Sequence, residues 1–249
     1  MVTGAGRGIG LAISRALADE GYKVVAGART LTDDLRAVTP HVLQVDLATS
    51  TGAQALVDHA MDEFGSIDLL VNNVAGTSHP AGGLLDLDDA AWQSTFEATF
   101  FSAVRATRAA MPALLASRGA IVNIGSVNAR LAVPRLVAYS AAKAALLNLG
   151  KALAEEFGGR GVRVNTISPG PVWTDIWTQP GGAGEALARN AGSSLEDFQD
   201  RFADVMGLST GKLAEPEEIA ALVVFLASGR VANMSGAEIV VDGGMMKTM

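Results

Sequence analysis

Tyr139 and Lys143 lie four positions apart in the segment Tyr-Ser-Ala-Ala-Lys. If this segment is helical, the two side chains stand one turn apart on one face, so that an ammonium group can lie beside a phenol. A free tyrosine has a pKa near ~10, whereas a neighbouring cation favours the phenolate and makes it usable in proton transfer. The same spacing also fits a plain helix with a half-buried ring and a lysine that reaches solvent.

A glycine-rich stretch is the second candidate for chemistry. Residues 3–10 read Thr-Gly-Ala-Gly-Arg-Gly-Ile-Gly and precede an alanine- and leucine-rich segment that ends near Asp19. A glycine turn that opens a helix lets backbone N–H groups approach a pyrophosphate, although an ordinary tight turn has a similar composition. The apolar strand predicted for residues 23–28 completes a β-α-β unit and favours dinucleotide binding.

The end of that strand discriminates between the two nicotinamide cofactors. An acidic residue there would hold the adenosine ribose hydroxyls of NAD(H), but this chain has Ala28 followed by Arg29. With Arg7 in the glycine turn, two guanidinium groups could flank a 2'-phosphate, unless both are only solvated surface arginines. The sequence therefore favours NADP(H) over NAD(H).

Alternating strands and helices must position these residues. Further strands are predicted at residues 41–45, 67–71, 120–124, 163–167 and 237–241, and helices at about 49–64, 88–117, around Tyr139, and at 216–227. This alternation predicts an α/β protein, a single Rossmann-type domain over residues 1–249, with a doubly wound parallel sheet of about seven strands and helices on both faces. Only Met1 and Val2 precede the glycine turn, so either the first strand is unusually short or upstream residues are missing from this sequence.

Polar residues follow several of the predicted strands. Ligands of open parallel sheets bind at the carboxyl ends of the strands. Those ends carry Asp46, the pair Asn72 and Asn73, Ser126, and the Pro169-Gly170 segment. Asp46 could instead cap a helix, and the asparagines could form a turn.

Composition argues against several other kinds of site and partner. The chain has no cysteine, which excludes disulfides and a cysteine nucleophile, and His41, His59 and His79 lack metal-ligand spacing. A net charge of -7 and a pI near 5.0 argue against nucleic acid or anionic membrane as a partner. Because no apolar run reaches the length of a membrane span and no signal-peptide pattern is present, we expect a cytoplasmic protein.

Two further segments carry aromatic residues. Residues 177–212, with Gly181-Gly182 near the start, have the irregular composition of a mobile lid over a pocket, or of a surface excursion without a catalytic part. An apolar pocket for a bulky substrate is predicted from Val133, Trp173, Trp177, Phe198 and Phe202. A helical stripe predicted to serve core or subunit packing comprises Trp92, Phe96, Phe100 and Val104.

Together these features resemble the classical short-chain dehydrogenase/reductase family over essentially the whole chain. Its marks here are the TGxxxGxG pattern of residues 3–10, the Asn72-Asn73 loop, Ser126 thirteen residues before Tyr139, the YxxxK pair, and Pro169-Gly170 with Thr174.

The resemblance implies hydride transfer between nicotinamide and the carbonyl or carbinol carbon of a small-molecule ketone or secondary alcohol. Ser126 would hydrogen-bond the substrate oxygen, Tyr139 would give or take its proton, and Lys143 would lower the tyrosine pKa while holding the nicotinamide ribose. The cofactor-binding residues implied are Gly4, Arg7, Gly8, Ile9, Gly10, Arg29, Asp46, Leu47, Asn72, Tyr139, Lys143, Pro169, Gly170, Val172 and Thr174. Among these, Asp46 would bind the adenine side, and Val172 and Thr174 would orient the carboxamide.

The chain departs from the family pattern at two places. Thr99 stands where the family usually has an asparagine that supports a water-mediated proton relay, and Val74-Ala75 replaces the more frequent Ala-Gly. Two other functions stay open: a reductase of 3-oxoacyl thioesters, whose carrier protein would dock at Arg130 and Arg135, and an NADP-binding protein without turnover. The family also implies a homotetramer, and the apolar last strand and methionine-rich tail fit a subunit contact.

Overall fold

Seven parallel strands form the centre of the molecule. The computed structural model describes residues 1–76, 83–178, 182–190 and 192–247, so that His79 and Gly181 lie outside the described residues. The strands are ordered β3-β2-β1-β4-β5-β6-β7 in one sheet. Their bounds are Val2–Thr3 (β1), Ala26–Ala28 (β2), Val42–Gln44 (β3), Leu69–Asn72 (β4), Ala120–Ile124 (β5), Arg163–Pro169 (β6) and Glu238–Val241 (β7).

Helices cover both faces of this sheet. They are α1 (Gly8–Asp19), α2 (Asp33–Val38), α3 (Gly52–Phe64), α4 (Asp89–Phe96), α5 (Ser102–Ser117), α6 (Val137–Gly158), α7 (Asp175–Thr178), α8 (Ala183–Asn190), α9 (Leu195–Asp200), α10 (Phe202–Val205) and α11 (Pro216–Ala227). Apolar side chains of α1 and α11 fill the core on one face, and those of α3, α5 and α6 fill the other. Within the described residues, no helix is long and apolar enough to cross a bilayer.

The predicted fold class is confirmed, and the differences are local. The strand β2 begins at Ala26 rather than at residue 23 because its neighbours pair with it only from there, in the registers Val2↔Ala26 and Ala26↔Val42. The short helix α2 was not predicted. Its N-cap Thr32 accepts a hydrogen bond from the Leu35 N–H at 3.2 Å, but six residues are too few for a periodic apolar pattern.

The helix predicted at residues 88–117 is interrupted by a π-helical turn at Glu97–Phe101, between α4 and α5. The predicted aromatic stripe runs along this helix as a ladder, with ring centroids 6.4 Å apart for Trp92 and Phe96 and 6.2 Å apart for Phe96 and Phe100. All three rings are partly exposed, so they do not form part of the sheet core. The role of this stripe in subunit packing stays a prediction.

The predicted lid segment, residues 177–212, is more ordered in secondary structure than its composition indicated. Its described residues include α8, α9 and α10, which share a small hydrophobic cluster with Leu208 and Leu213. Phe198 and Phe202 are 2% and 0% exposed and meet edge to face at 5.2 Å. Their prediction as walls of an apolar pocket is wrong, because the two rings fill the core of this segment.

Candidate active site

The predicted site residues meet at one edge of the sheet because all seven strands are parallel. Gly4 follows β1, Arg29 follows β2, Asp46 and Leu47 follow β3, Asn72 ends β4, Ser126 follows β5, and Pro169 ends β6, with Gly170, Val172 and Thr174 after it. The glycine turn and the start of α1 lie at this same edge. This is the side of an open parallel sheet where ligands bind.

The glycine turn brings two backbone segments closer than any side chain would allow. A Cβ atom on Gly10 would lie 2.3 Å from the Gly4 carbonyl oxygen, and Gly8 has a φ of +54° with Thr174 beside it. The turn therefore presents the first N–H groups of α1, at Gly8 and Ile9, without side chains in front of them. This shape fits the pyrophosphate of a dinucleotide.

Asn73 holds the turn in place. Its Nδ2 donates to the carbonyl oxygens of Thr3 at 3.1 Å and Gly4 at 3.0 Å, and its backbone N–H donates to Thr3 Oγ1 at 2.9 Å. Asn73 lies in the predicted Asn72-Asn73 loop, but no role was predicted for this residue. The two adjacent asparagines after β4 were the signal, but the partners lie about seventy residues away in the chain and could not be inferred from a local pattern.

The helix α6 brings the three predicted catalytic residues together. Tyr139 and Lys143 lie one turn apart on it, and the hydroxyl groups of Tyr139 and Ser126 are hydrogen-bonded to each other. Ser126 is the N-cap of a 3-10 turn at Val127–Ala129. Lys143 Nζ lies 5.7 Å from the centre of the Tyr139 ring and donates to the Ile124 carbonyl oxygen at 2.7 Å.

Burial dominates the titration of both α6 residues. It raises the pKa of Tyr139 above its ordinary value of 10.0, and the hydrogen bond from Ser126 opposes this only in part. It also lowers the pKa of Lys143 from 10.5 to about 7. The expected net lowering of the Tyr139 pKa is not found, because the loss of solvation outweighs the hydrogen bond from Ser126; the separate effect of Lys143 on the phenol stays a prediction.

Lys143 is 1% exposed, and an ammonium group has three N–H donors. Within the described residues, the Ile124 carbonyl is the single hydrogen-bond acceptor that lies against Nζ. Hydroxyl groups of a bound ribose would supply the missing acceptors. Together with the glycine turn, this buried cation fits a nicotinamide dinucleotide.

Thr99, in place of the family asparagine, holds the loop after β4. It is 0% exposed, and its Oγ1 donates to the Gly76 carbonyl at 3.0 Å and accepts from the Gly76 N–H at 3.3 Å. The Thr99 hydroxyl thus makes two hydrogen bonds to the backbone of one loop residue, Gly76. It supports that loop directly, from within the π-helical turn.

The charged residues predicted to bind the adenosine side of the cofactor are exposed, and no described contact joins them to one another. Asp46 is exposed and its Oδ1 accepts from the Ala48 N–H at 3.0 Å, so this carboxylate closes a local turn. Arg29 is exposed, and Arg7 lies 4.0 Å from Asp175 with 72% of its side chain exposed. Among the described contacts, none joins Arg7 to Arg29.

Within the described ranges no group of three histidine, aspartate or glutamate side chains could hold a metal ion.

Comparison with known proteins extends these observations over the whole chain. A family model described as enoyl-(acyl carrier protein) reductase matches residues 4–246. D-threitol dehydrogenase of Mycolicibacterium smegmatis is 37% identical, and the aligned region covers 98% of this chain and 91% of that protein. The 3-oxoacyl-[acyl-carrier-protein] reductase of Vibrio cholerae is 33% identical, with 98% and 96% covered. L-sorbose reductase from Gluconobacter frateurii, solved with NADPH and L-sorbose, has a TM-score of 0.90 and 34% identity, with 100% and 96% covered.

The buried ammonium of Lys143 predicts a pH-dependent stability. Between about pH 7 and 10.5 the native state holds fewer protons on this residue than the unfolded state, so stability rises with pH across that window. The free energy of unfolding of the wild-type protein, measured in urea without cofactor, should rise relative to that of a Lys143→Met variant by up to about 1.4 kcal/mol per pH unit. Lys151→Met, which alters an exposed lysine on the same helix, should show no such trend. A difference in the free energy of unfolding between the wild type and Lys143→Met that stays constant from pH 6 to 9.5 would contradict the burial of the Lys143 side chain.

Proposed function

Since this chain belongs to the short-chain dehydrogenase/reductase family and is an oxidoreductase of carbonyl and alcohol groups, we propose that it uses NADP(H) and a Ser126-Tyr139-Lys143 mechanism. The observation that carries this proposal is the contact between the Ser126 and Tyr139 hydroxyls, one helical turn from the buried Lys143. Both hydroxyls can reach a single substrate oxygen from such an arrangement.

Each of the three residues has a distinct task in the proposed mechanism. Ser126 donates a hydrogen bond to the substrate oxygen and keeps it beside the phenol. Because burial raises the pKa of Tyr139, the phenol is protonated at neutral pH and delivers its proton to that oxygen during reduction. Lys143 orients the ribose next to the reacting carbon and replenishes the proton of the phenol.

The cofactor would be held along the carboxyl edge of the sheet. When bound, it supplies or accepts the hydride. The residues proposed to hold it are Gly4, Arg7, Gly8, Ile9 and Gly10 at the pyrophosphate, Arg29, Asp46 and Leu47 on the adenosine side, and Asn72, Tyr139, Lys143, Pro169, Gly170, Val172 and Thr174 around the nicotinamide riboside. Arg29 favours NADP(H), because an exposed guanidinium suits a phosphate dianion and the end of β2 carries Ala28 rather than a carboxylate.

A polyhydroxylated ketone or alcohol is the substrate class that we propose. Threitol and sorbose, which name two of the similar proteins, are of this class. Phe198 and Phe202 do not support a bulky apolar substrate, because both rings lie in the core of residues 177–212. We propose that this segment is a lid over the substrate. A panel of L-sorbose, D-threitol, 2,3-butanedione and an acetoacetyl thioester, each with NADP(H) and NAD(H), tests the substrate class.

Reduction of 3-oxoacyl thioesters is the second candidate, and it is favoured by the likeness to the Vibrio cholerae enzyme. Against it, the Arg130 guanidinium is paired with Glu238, which offsets part of its charge, although 56% of its side chain stays exposed to an acidic carrier protein. Turnover of the thioester but not of the free ketones would reverse this preference. A protein that binds NADP(H) without turnover is not favoured, since all three proposed catalytic side chains lie together.

We also propose a homotetramer, with one subunit contact on the outer faces of α5 and α6. A groove there is lined by Val104, Met111, Pro112, Leu115, Leu149, Leu153 and Phe157, with Arg108, Glu156 and Arg160 among them. A second copy fits this groove because charges of both signs lie on one apolar patch and can pair across a two-fold axis. In the methionine-rich tail, Met245 packs against the cluster of residues 177–212 of its own chain.

Sedimentation velocity should therefore show an oligomer for the wild-type protein. Leu149→Glu should shift the distribution towards smaller species, because it places a charge in the apolar groove. Leu85→Glu is the control, since Leu85 is 98% exposed in a loop away from the groove. A wild-type chain that sediments as a stable monomer would contradict the tetramer.

Tyr139→Phe should lower kcat for ketone reduction by about 10²-fold or more, because the variant lacks the acidic hydroxyl. Its affinity for NADPH, measured by calorimetry, should fall far less than kcat, because the phenol is one of many proposed contacts to the cofactor. Tyr22→Phe alters the only other tyrosine of the chain and should leave kcat unchanged. Full activity of Tyr139→Phe would exclude the phenol as proton donor.

Arg29→Ala should lower kcat/KM for NADPH by roughly 10- to 100-fold, as expected for the loss of a charged hydrogen bond worth about 1.5–3 kcal/mol. The kcat/KM for NADH should change little, because NADH has no 2'-phosphate. Arg230→Ala, at an exposed arginine far along the chain, should affect neither cofactor. Equal losses with both cofactors would remove Arg29 from the phosphate site.

A further inference from the structure

Glu238, the first residue of β7, has a nearly buried carboxylate outside the site described above. Its side chain is 9% exposed, and both of its oxygens are engaged. Oε1 accepts from Ser168 Oγ at 2.7 Å, and Oε2 accepts from Arg130 Nε at 2.7 Å and also from Arg130 Nη2. A desolvated carboxylate with charge-assisted bonds on both oxygens is a stiff connection between its partners.

Arg130 is joined to Ser126 through a single tight turn. The 3-10 turn Val127–Ala129 lies between them, and Ser126 Oγ accepts from the Asn128 N–H at 3.1 Å. The Arg130 N–H closes the same turn by donating to the Val127 carbonyl at 2.9 Å. Because the turn is short and internally hydrogen-bonded, the position of the Arg130 guanidinium constrains the turn that carries Ser126.

Ser168 acts on the other side of Ser126. It is 0% exposed in β6, and a Cβ atom on Gly125 would lie 2.7 Å from its hydroxyl oxygen. The Gly125 N–H also donates to the Ile167 carbonyl at 2.7 Å. The side chain of Ser168 therefore fills the space against the residue that directly precedes Ser126.

We propose that Glu238 is a positioning residue for Ser126. Its carboxylate holds Arg130 after Ser126 and Ser168 against Gly125 before it, and so sets where the Ser126 hydroxyl meets Tyr139 and the substrate oxygen. This inference rests on the proposed role of Ser126 in the reaction. If the Glu238–Arg130 ion pair only held the edge strand β7 in place, it would contribute to stability and would not affect the reaction through Ser126.

A double-mutant cycle separates these two roles. With NADPH and the best ketone of the substrate panel, Glu238→Gln should lower kcat about tenfold, since small displacements of a reacting group are costly. In a Ser126→Ala background the same substitution should have no further effect, because Ser126 is the residue through which it acts. Glu63→Gln, which removes the carboxylate partner of His41 far from this turn, is the matched control and should leave kcat unchanged. Arg130→Lys keeps the charge but loses the guanidinium fork, and should give a smaller loss, of about threefold.

A second readout needs neither cofactor nor substrate. In protein labelled with ¹³C at tyrosine Cζ, a Tyr22→Phe background leaves Tyr139 as the single labelled phenol. Ser126→Ala should shift this resonance because it removes the hydrogen bond between the two hydroxyls. Glu238→Gln and Arg130→Lys should shift it in the same direction by less, and Glu63→Gln should leave it in place.

Three outcomes overturn the proposal. They are an unchanged kcat in Glu238→Gln, an equal loss in the presence and absence of the Ser126 hydroxyl, and an unmoved Tyr139 resonance in Glu238→Gln or, if that variant does not fold, in Arg130→Lys. Failure of the proposed function has a different signature. In that case Ser126→Ala itself would keep full kcat, or no ketone of the panel would turn over, while the Tyr139 resonance would still report whether Glu238 positions Ser126.

Discussion

The buried ammonium group of Lys143 is the constraint on which the site depends. A cation that is 1% exposed is costly, and the contact from the Ile124 carbonyl at the end of β5 offsets this cost only in part, since burial still lowers the pKa of Lys143 to about 7. The contact requires α6 to lie close against β5 and β6. Gly150 on α6 meets this requirement, because a Cβ atom there would lie 2.9 Å from both Asn123 Nδ2 and Thr166 Oγ1. Close packing of one helix thus fixes Tyr139 over Ser126.

A polar row beneath α6 is the second consequence of this packing. Asn72, Asn123, Thr166 and Glu238 lie opposite one another on β4, β5, β6 and β7. Asn72 Nδ2 donates to Asn123 Oδ1 at 2.9 Å and to Thr107 Oγ1 of α5 at 3.0 Å. Polar side chains inside a parallel sheet are expensive unless they are paired. The row runs from the last residue of β4 to the first residue of β7, so it fixes the register of the strands whose loops carry the site.

Much of this arrangement was predictable from local patterns. The alternation of apolar strands and amphipathic helices gave the fold class, β5 and α11 were predicted with their observed bounds, and the spacing of Tyr139 and Lys143 predicted a shared helical face. The remainder depends on partners distant in the chain. Thr99 binds Gly76, and Arg130 pairs with Glu238 more than a hundred residues away. Burial also reversed the expected shift of the Tyr139 pKa, and the degree of burial is a property of the folded chain rather than of the motif.

The small core of residues 177–212 has a consequence for how this protein can diverge. Ala188, Phe198, Phe202 and Leu208 pack with one another and with Leu213 directly after the segment, apart from the two cores that hold the sheet and its helices. A segment with its own apolar interior can be exchanged or re-shaped while the sheet keeps its stability. With the proposed lid role of this segment, selection on substrate range and selection on folding would act on separate sets of residues. The proposed active-site edge of the sheet would then be open to new substrates at little thermodynamic cost.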